Sequence, residues 1–60
     1  MTTVYKLHIS DVKKTYKREV QVTLPFRIMN EDVQLLVTIE LKKDGIVKDD
    51  ELINEWEIVN

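Results

Sequence analysis

Glu19-Val20-Gln21-Val22-Thr23-Leu24-Pro25-Phe26-Arg27-Ile28, followed after four residues by Val33-Gln34-Leu35-Leu36-Val37-Thr38-Ile39-Glu40-Leu41, is the stretch on which the fold turns. Apolar side chains take the even positions from Val20 to Ile28 and the odd positions from Val33 to Leu41, with only Leu36 out of step. A period of two predicts strands with one face toward a core. It also predicts a register, because a one-residue slip would turn a whole apolar set to solvent. With Asn30 and Glu31 at the turn, Ile28 faces Val33, Phe26 faces Leu35, Leu24 faces Val37, Val22 faces Ile39 and Val20 faces Leu41.

Upstream, Tyr5, Leu7 and Ile9 alternate with Lys6, His8 and Ser10, which predicts a further strand. A four-residue loop, Lys13-Lys14-Thr15-Tyr16, would set Ile9 opposite Val20, Leu7 opposite Val22 and Asp11 opposite Arg18. That makes the second strand central, in conflict with Pro25, which has no N–H to donate to a ladder. The expectation is that pairing with the first strand stops before Pro25, or that the chain bends at Leu24 to Phe26.

Downstream, Lys43-Asp44-Gly45 reads as a turn, with Ile46 and Val47 continuing as extended chain. Leu52, Ile53, Trp56 and Val59 then fit one helix face, with Asp49, Asp50 and Glu51 at its start, where acidic side chains suit the helix dipole. A strand would group Leu52, Trp56 and Ile58 but must accept Asn54 among them. A sheet with one apolar face needs a cover, which favours the helix. The predicted fold is therefore a β-rich α+β domain. Strands over about 4–11, 16–28 and 33–42 form a three-stranded antiparallel meander, with a short C-terminal helix over about 50–57 on one face. The alternative is an all-β, four-stranded sheet that dimerises to cover itself. A tight small barrel is disfavoured by a single glycine in the chain.

Sixty residues with 43% hydrophobic and 33% charged side chains suit a single small domain, residues 1–60, with no internal repeat or linker. Folding a chain of this size buries about 3,500 Å² of apolar surface, roughly 90 kcal/mol. Ordering the residues, at ~1.5 kcal/mol each, costs about the same. With no cysteine to supply a disulfide or a thiolate-bound zinc, self-association is an open route to stability. No run approaches the length of a membrane span and no apolar signal segment begins the chain, so a cytoplasmic location and no membrane partner are expected.

The chain offers little for catalysis. His8 and Ser10 are its only histidine and serine, and Asp11 points to the opposite strand face, so no triad forms locally. Gly45 alone cannot make a phosphate-binding loop, and no aspartate spacing matches a calcium loop. The expectation is a protein that is not an enzyme and uses no cofactor or metal.

Charge is unevenly spread: residues 1–30 carry six Lys or Arg against two Asp or Glu, and residues 31–60 carry three against nine. Lys13, Lys14, Lys17 and Arg18, with Tyr16 to stack on a base, are the candidate nucleic-acid-binding residues. Glu55 and Glu57 on the acidic side, Trp56 as the lone tryptophan, and Met29 and Leu36 on the predicted polar strand face are the candidate protein-contact residues. Val4 and Val12 fall on the same predicted face as Met29 and Leu36, where the four would form a patch. The leading expectation is a small protein-interaction module, an accessory or inhibitory protein such as a compact phage genome encodes. It would bind a larger partner or itself, with a dimer favoured. A nucleic-acid-binding protein using the 13–18 hairpin and a structural subunit of a larger assembly are the alternatives.

Overall fold

The computed structural model describes residues 2–59. β1 (Thr3–Asp11), β2 (Lys17–Leu24), α1 (Glu31–Lys43) and β3 (Glu51–Ile58) follow one another along the chain. The three strands form one sheet in the order β2-β1-β3, with β1 antiparallel to both neighbours. The α+β class and a three-stranded antiparallel sheet are as expected in outline, but the sheet is not a meander and its central strand is the first.

The odd side chains of β1 and the even ones of β2 share a face, as expected, with Tyr5 opposite Val22 and Leu7 opposite Val20. The register is two residues away from the predicted one, so Ile9 pairs with Arg18 and Ser10 with Lys17. Asp11 causes the shift. Instead of pairing with Arg18, its carboxylate accepts from the backbone N–H of Thr15 at 2.6 Å and from the Thr15 hydroxyl. Its carbonyl accepts from Lys14 N–H at 3.0 Å. Lys14 takes a left-handed φ of 57° to close this loop without glycine or asparagine. β2, an edge strand, stops at Leu24, and Pro25 lies in the bend beyond it. The second strand is thus neither central nor extended to residue 28.

Residues 33–42, expected as a strand, are helix. The run satisfies two periods at once: its odd positions alternate, but Val33, Val37 and Leu41 also recur every four residues on one helix face. Chain ends decide between them. The Asn30 side chain accepts from Val33 N–H at 2.9 Å as N-cap, Glu31 and Asp32 occupy the first turn, and Lys42 and Lys43 the last. Gly45, at φ 79°, closes the helix. Its N–H bonds to Lys42 O at 3.1 Å and Ile46 N–H to Leu41 O at 2.9 Å, the paired bonds of a Schellman motif. The predicted 28–33 hairpin register therefore does not exist, and Lys43-Asp44-Gly45 is a helix end.

Residues 50–57, expected as a helix, form strand β3. α1 already covers the sheet, and the free edge of β1 takes the last segment as a partner. Asn54 is the residue that obscured this in the sequence. Ile9 pairs with Ile53 and His8 with Glu55, so Asn54 is the extra residue of a β-bulge. The bulge switches parity, placing Glu51 and Ile53 before it on the same face as Trp56 and Ile58 after it. A strict period of two could not group them.

The core lies between that face and α1: Tyr5, Leu7, Ile9, Val22 and Ile53 from the sheet, Val37 and Leu41 from the helix, with Ile28 and Val47 from the connections. Each fully buried aliphatic here contributes roughly 1.5–3 kcal/mol. Tyr5 also serves the backbone, its hydroxyl oxygen accepting from Ile28 N–H at 2.7 Å. Gln34 Nε2 donates to Ile53 O at 3.1 Å and ties the helix to β3.

Candidate functional site

Three surfaces carry the side chains singled out above. The first is the hairpin end, with the basic cluster. Arg18 points to the covered face of the sheet, where its Nε and Nη2 donate to the two carboxylate oxygens of Glu51 at 2.9 and 2.8 Å. Tyr16 donates its hydroxyl to the same carboxylate at 2.7 Å, and the Lys48 N–H adds a bond at 2.8 Å. A further bond runs from Arg18 Nη2 to Ile46 O at 2.6 Å. Glu51 is 1% exposed. The hydrogen bonds from Arg18 above all hold its carboxyl far below the usual range, against the opposing effect of burial. The Glu51 hydrogen bond pushes the Tyr16 hydroxyl from its ordinary 10.0 up to about 12, and raises Arg18 as well. Thr15, donating to Asp11, lowers that carboxyl.

Two of the five candidate nucleic-acid residues, Tyr16 and Arg18, are thus held in a cluster that joins β2 to the start of β3. Lys13, Lys14 and Lys17 are exposed. Lys14 and Lys17 border a shallow depression shared with His8, Asn54 and Glu55, so a carboxylate stands among the cations.

The second surface is the open sheet face. His8 lies between Glu57, at 3.0 Å from Nε2, and Glu19, at 3.6 Å from Nδ1, while Lys6 reaches Glu19 at 3.8 Å. Glu55 is the register partner of His8 and Glu57 of Lys6. These are exposed or half-exposed pairs, each worth little. Ser10 is fully buried, its hydroxyl donating to Asp11 O at 3.1 Å and accepting from Asn54 Nδ2 at 2.8 Å. Its oxygen is therefore committed to structure. Among the described residues no group of three or more His, Cys, Asp or Glu could hold a metal ion, and no helix is long and apolar enough to cross a membrane.

The third surface is the outward side of α1. The helix buries Val37 and Leu41 but leaves Leu35 61%, Leu36 62% and Ile39 44% exposed. Pro25 terminates β2, and Phe26, in the turn that follows, is 46% exposed beside the helix. Between them runs a half-open groove of about 470 Å³, bordered by Leu24, Pro25 and Phe26 on one wall and Leu36, Ile39 and Glu40 on the other. Its lining is predominantly apolar. Met29, just before the helix, is 82% exposed.

Of the candidate contact residues, Met29 and Leu36 are exposed, Trp56 is half-buried against the core opposite Leu7, and Glu55 and Glu57 lie on the open sheet face. The expected patch of Met29, Leu36, Val4 and Val12 is not assembled as drawn: Val4 is half-buried in β1, Val12 is in the hairpin loop, and Leu36 is on α1. Phe26, Leu35 and Ile39 escaped the sequence reading because a strand assigned all three to the core. The signal that could have found Leu35 and Ile39 was the surplus of apolar residues in 33–41 over what one helix face can bury.

Fold and surfaces together define a small ββαβ domain with an apolar groove on its helix side. No protein-family model matches the chain, and no significant match is found among curated proteins or solved structures.

Proposed function

We propose that this chain is a non-enzymatic protein-interaction module whose contact surface is the outward side of α1 with the Phe26 groove. The observation that carries the reading is the exposure of Leu35, Leu36 and Ile39 on a helix whose opposite side already fills the core. Apolar side chains clustered on so small a domain mark a contact surface far more often than scattered ones do. The polar surfaces support the same reading: Ser10 is buried and bonded, and the Tyr16 and Arg18 head groups are committed to Glu51.

The test is site-specific photo-crosslinking in cells that encode the chain, with a benzophenone side chain at position 36 and, separately, at Gln21 on the open sheet face. Covalent adducts to polypeptide, either this chain or another, are expected from position 36 and not from position 21. Adducts from position 21 alone, or none from position 36, would discard the reading. Salt-sensitive binding to an oligonucleotide, abolished by replacing Lys13, Lys14 and Lys17, would put the hairpin in its place.

A further inference from the structure

The outward side of α1 has an order that a generic sticky patch would lack. Asp32, Leu36, Ile39 and Lys43 are spaced by four, three and four residues. At 100° per residue they fall within an arc of about 60°, in line along the helix. This is the alternation by which one helix packs its seam against another. Its spacing is also the same from either end, while an acidic residue stands at one terminus and a basic residue at the other.

We infer that two copies of this chain pair through α1 as an antiparallel, two-fold helix pair. Leu36 of each copy packs on the partner's Ile39, and Asp32 of each faces the partner's Lys43. The inference rests on the interaction reading above and names its occupant.

Three observations select a second copy. A two-fold axis between Leu36 and Ile39 brings every position of the stripe onto one of complementary chemistry, which is what a self-complementary interface requires. The parallel alternative sets Asp32 against Asp32 and Lys43 against Lys43, so the sequence disfavours it. Complementing the helix dipole explains acidic residues in the first turn and basic ones in the last. It does not explain why one of each lies in line with Leu36 and Ile39.

Lys43 already approaches Glu40 of its own helix at 3.6 Å, but both are about two-thirds exposed, and such a pair yields readily to a better partner. Leu35 and the wall formed by Phe26 and Pro25 flank the seam and extend the contact beyond three turns of helix. Standard interfaces bury about 800 Å² per partner, more than a three-turn helix alone presents, so association is modest, with Kd on the order of 10–100 µM.

The experiment is sedimentation equilibrium of the purified chain from about 10 µM to 1 mM, a range set by that affinity, with far-UV circular dichroism confirming that each variant is folded. The native chain is expected to shift from 7.1 kDa toward twice that mass. Asp32→Lys and Lys43→Asp should each weaken pairing by about tenfold, the effect of roughly 1.4 kcal/mol. The double variant D32K/K43D, and an equimolar mixture of the two single variants, should restore it, while Leu36→Glu should abolish it. A monomer at 1 mM overturns the inference. If position 36 still crosslinks to a different protein, the interaction reading survives without it. A dimer indifferent to Leu36→Glu, or one that the double charge swap fails to rescue, overturns the proposed seam and its direction.

Discussion

The two ends of β2 are built on opposite principles. At its start, Arg18 and Tyr16 close around a buried glutamate, and every donor named there has an acceptor. At its end, Pro25 releases the chain from the sheet, and Phe26 stands half-exposed over a groove that none of the described residues fills. The contrast teaches that charge on the surface of a small domain is no sign of a site, and that apolar patterning is no sign of a core. Arg18, one of the cations most suggestive of a ligand, holds the hairpin to the α1–β3 connection and β3. Leu35 and Ile39, which the alternation assigns to a strand interior, face solvent.

The contrast breaks most sharply at Glu51. Glu51→Ala removes the acceptor of four hydrogen bonds and leaves Arg18 without its counter-charge. Breaking a fully buried pair costs about 3–5 kcal/mol; with Arg18 a third exposed, the expected loss is about 2–3 kcal/mol in urea unfolding. A loss under about 1 kcal/mol would mean that the cluster is dispensable.

The same cluster predicts the pH dependence of stability. Glu51 and Asp11 have folded-state pKa values depressed below their ordinary 4.5 and 3.8, so the unfolded chain takes up protons first. Their stabilisation is fully present above about pH 5 and is lost progressively as pH falls through those values and below. Tyr16 works at the other limb. Its pKa is raised from 10.0 to about 12, so its contribution is complete below pH 10 and fades as pH rises toward 12. Urea midpoints measured from pH 2 to 12 should form a plateau from about 5 to 10 that falls on both sides. Tyr16→Phe should flatten the alkaline shoulder, and Glu51→Gln should blunt the acid one.

The smallest effect is expected at the open end. Leu36→Ser should change unfolding free energy by no more than about 0.5 kcal/mol, as exposed positions away from core and caps do, while removing the contact detected by crosslinking. A loss of 2 kcal/mol or more, about what a buried leucine would give, would make Leu36 part of the core and close the comparison between the two ends.

Legibility followed the same divide. The alternation in 3–11 and 17–24 is unambiguous, and the shared face of Tyr5, Leu7, Val20 and Val22 was readable even though Asp11 moved the register by two. Met29 and Leu36 were readable as exposed because they broke the pattern. Phe26, Leu35 and Ile39 were not, since a strand accounts for them more simply than a helix does. The Glu51 cluster joins residues 33 and 35 positions apart and left no local trace.

The sequence by itself determined two antiparallel strands with a common apolar face and an interruption of pairing near Pro25, where an N–H is missing, although it carried the second strand on to residue 28. Residues 33–41 satisfy periods of two and of nearly four together, so periodicity could not choose between them. Tertiary structure chose: a helix there covers the sheet, and 51–58 pairs with the remaining free edge of β1 through a bulge at Asn54. Helix and strand exchanged places because each was needed where the other had been expected. The cover of a sheet and the partner of an edge are properties of the assembled layers, which no single segment carries.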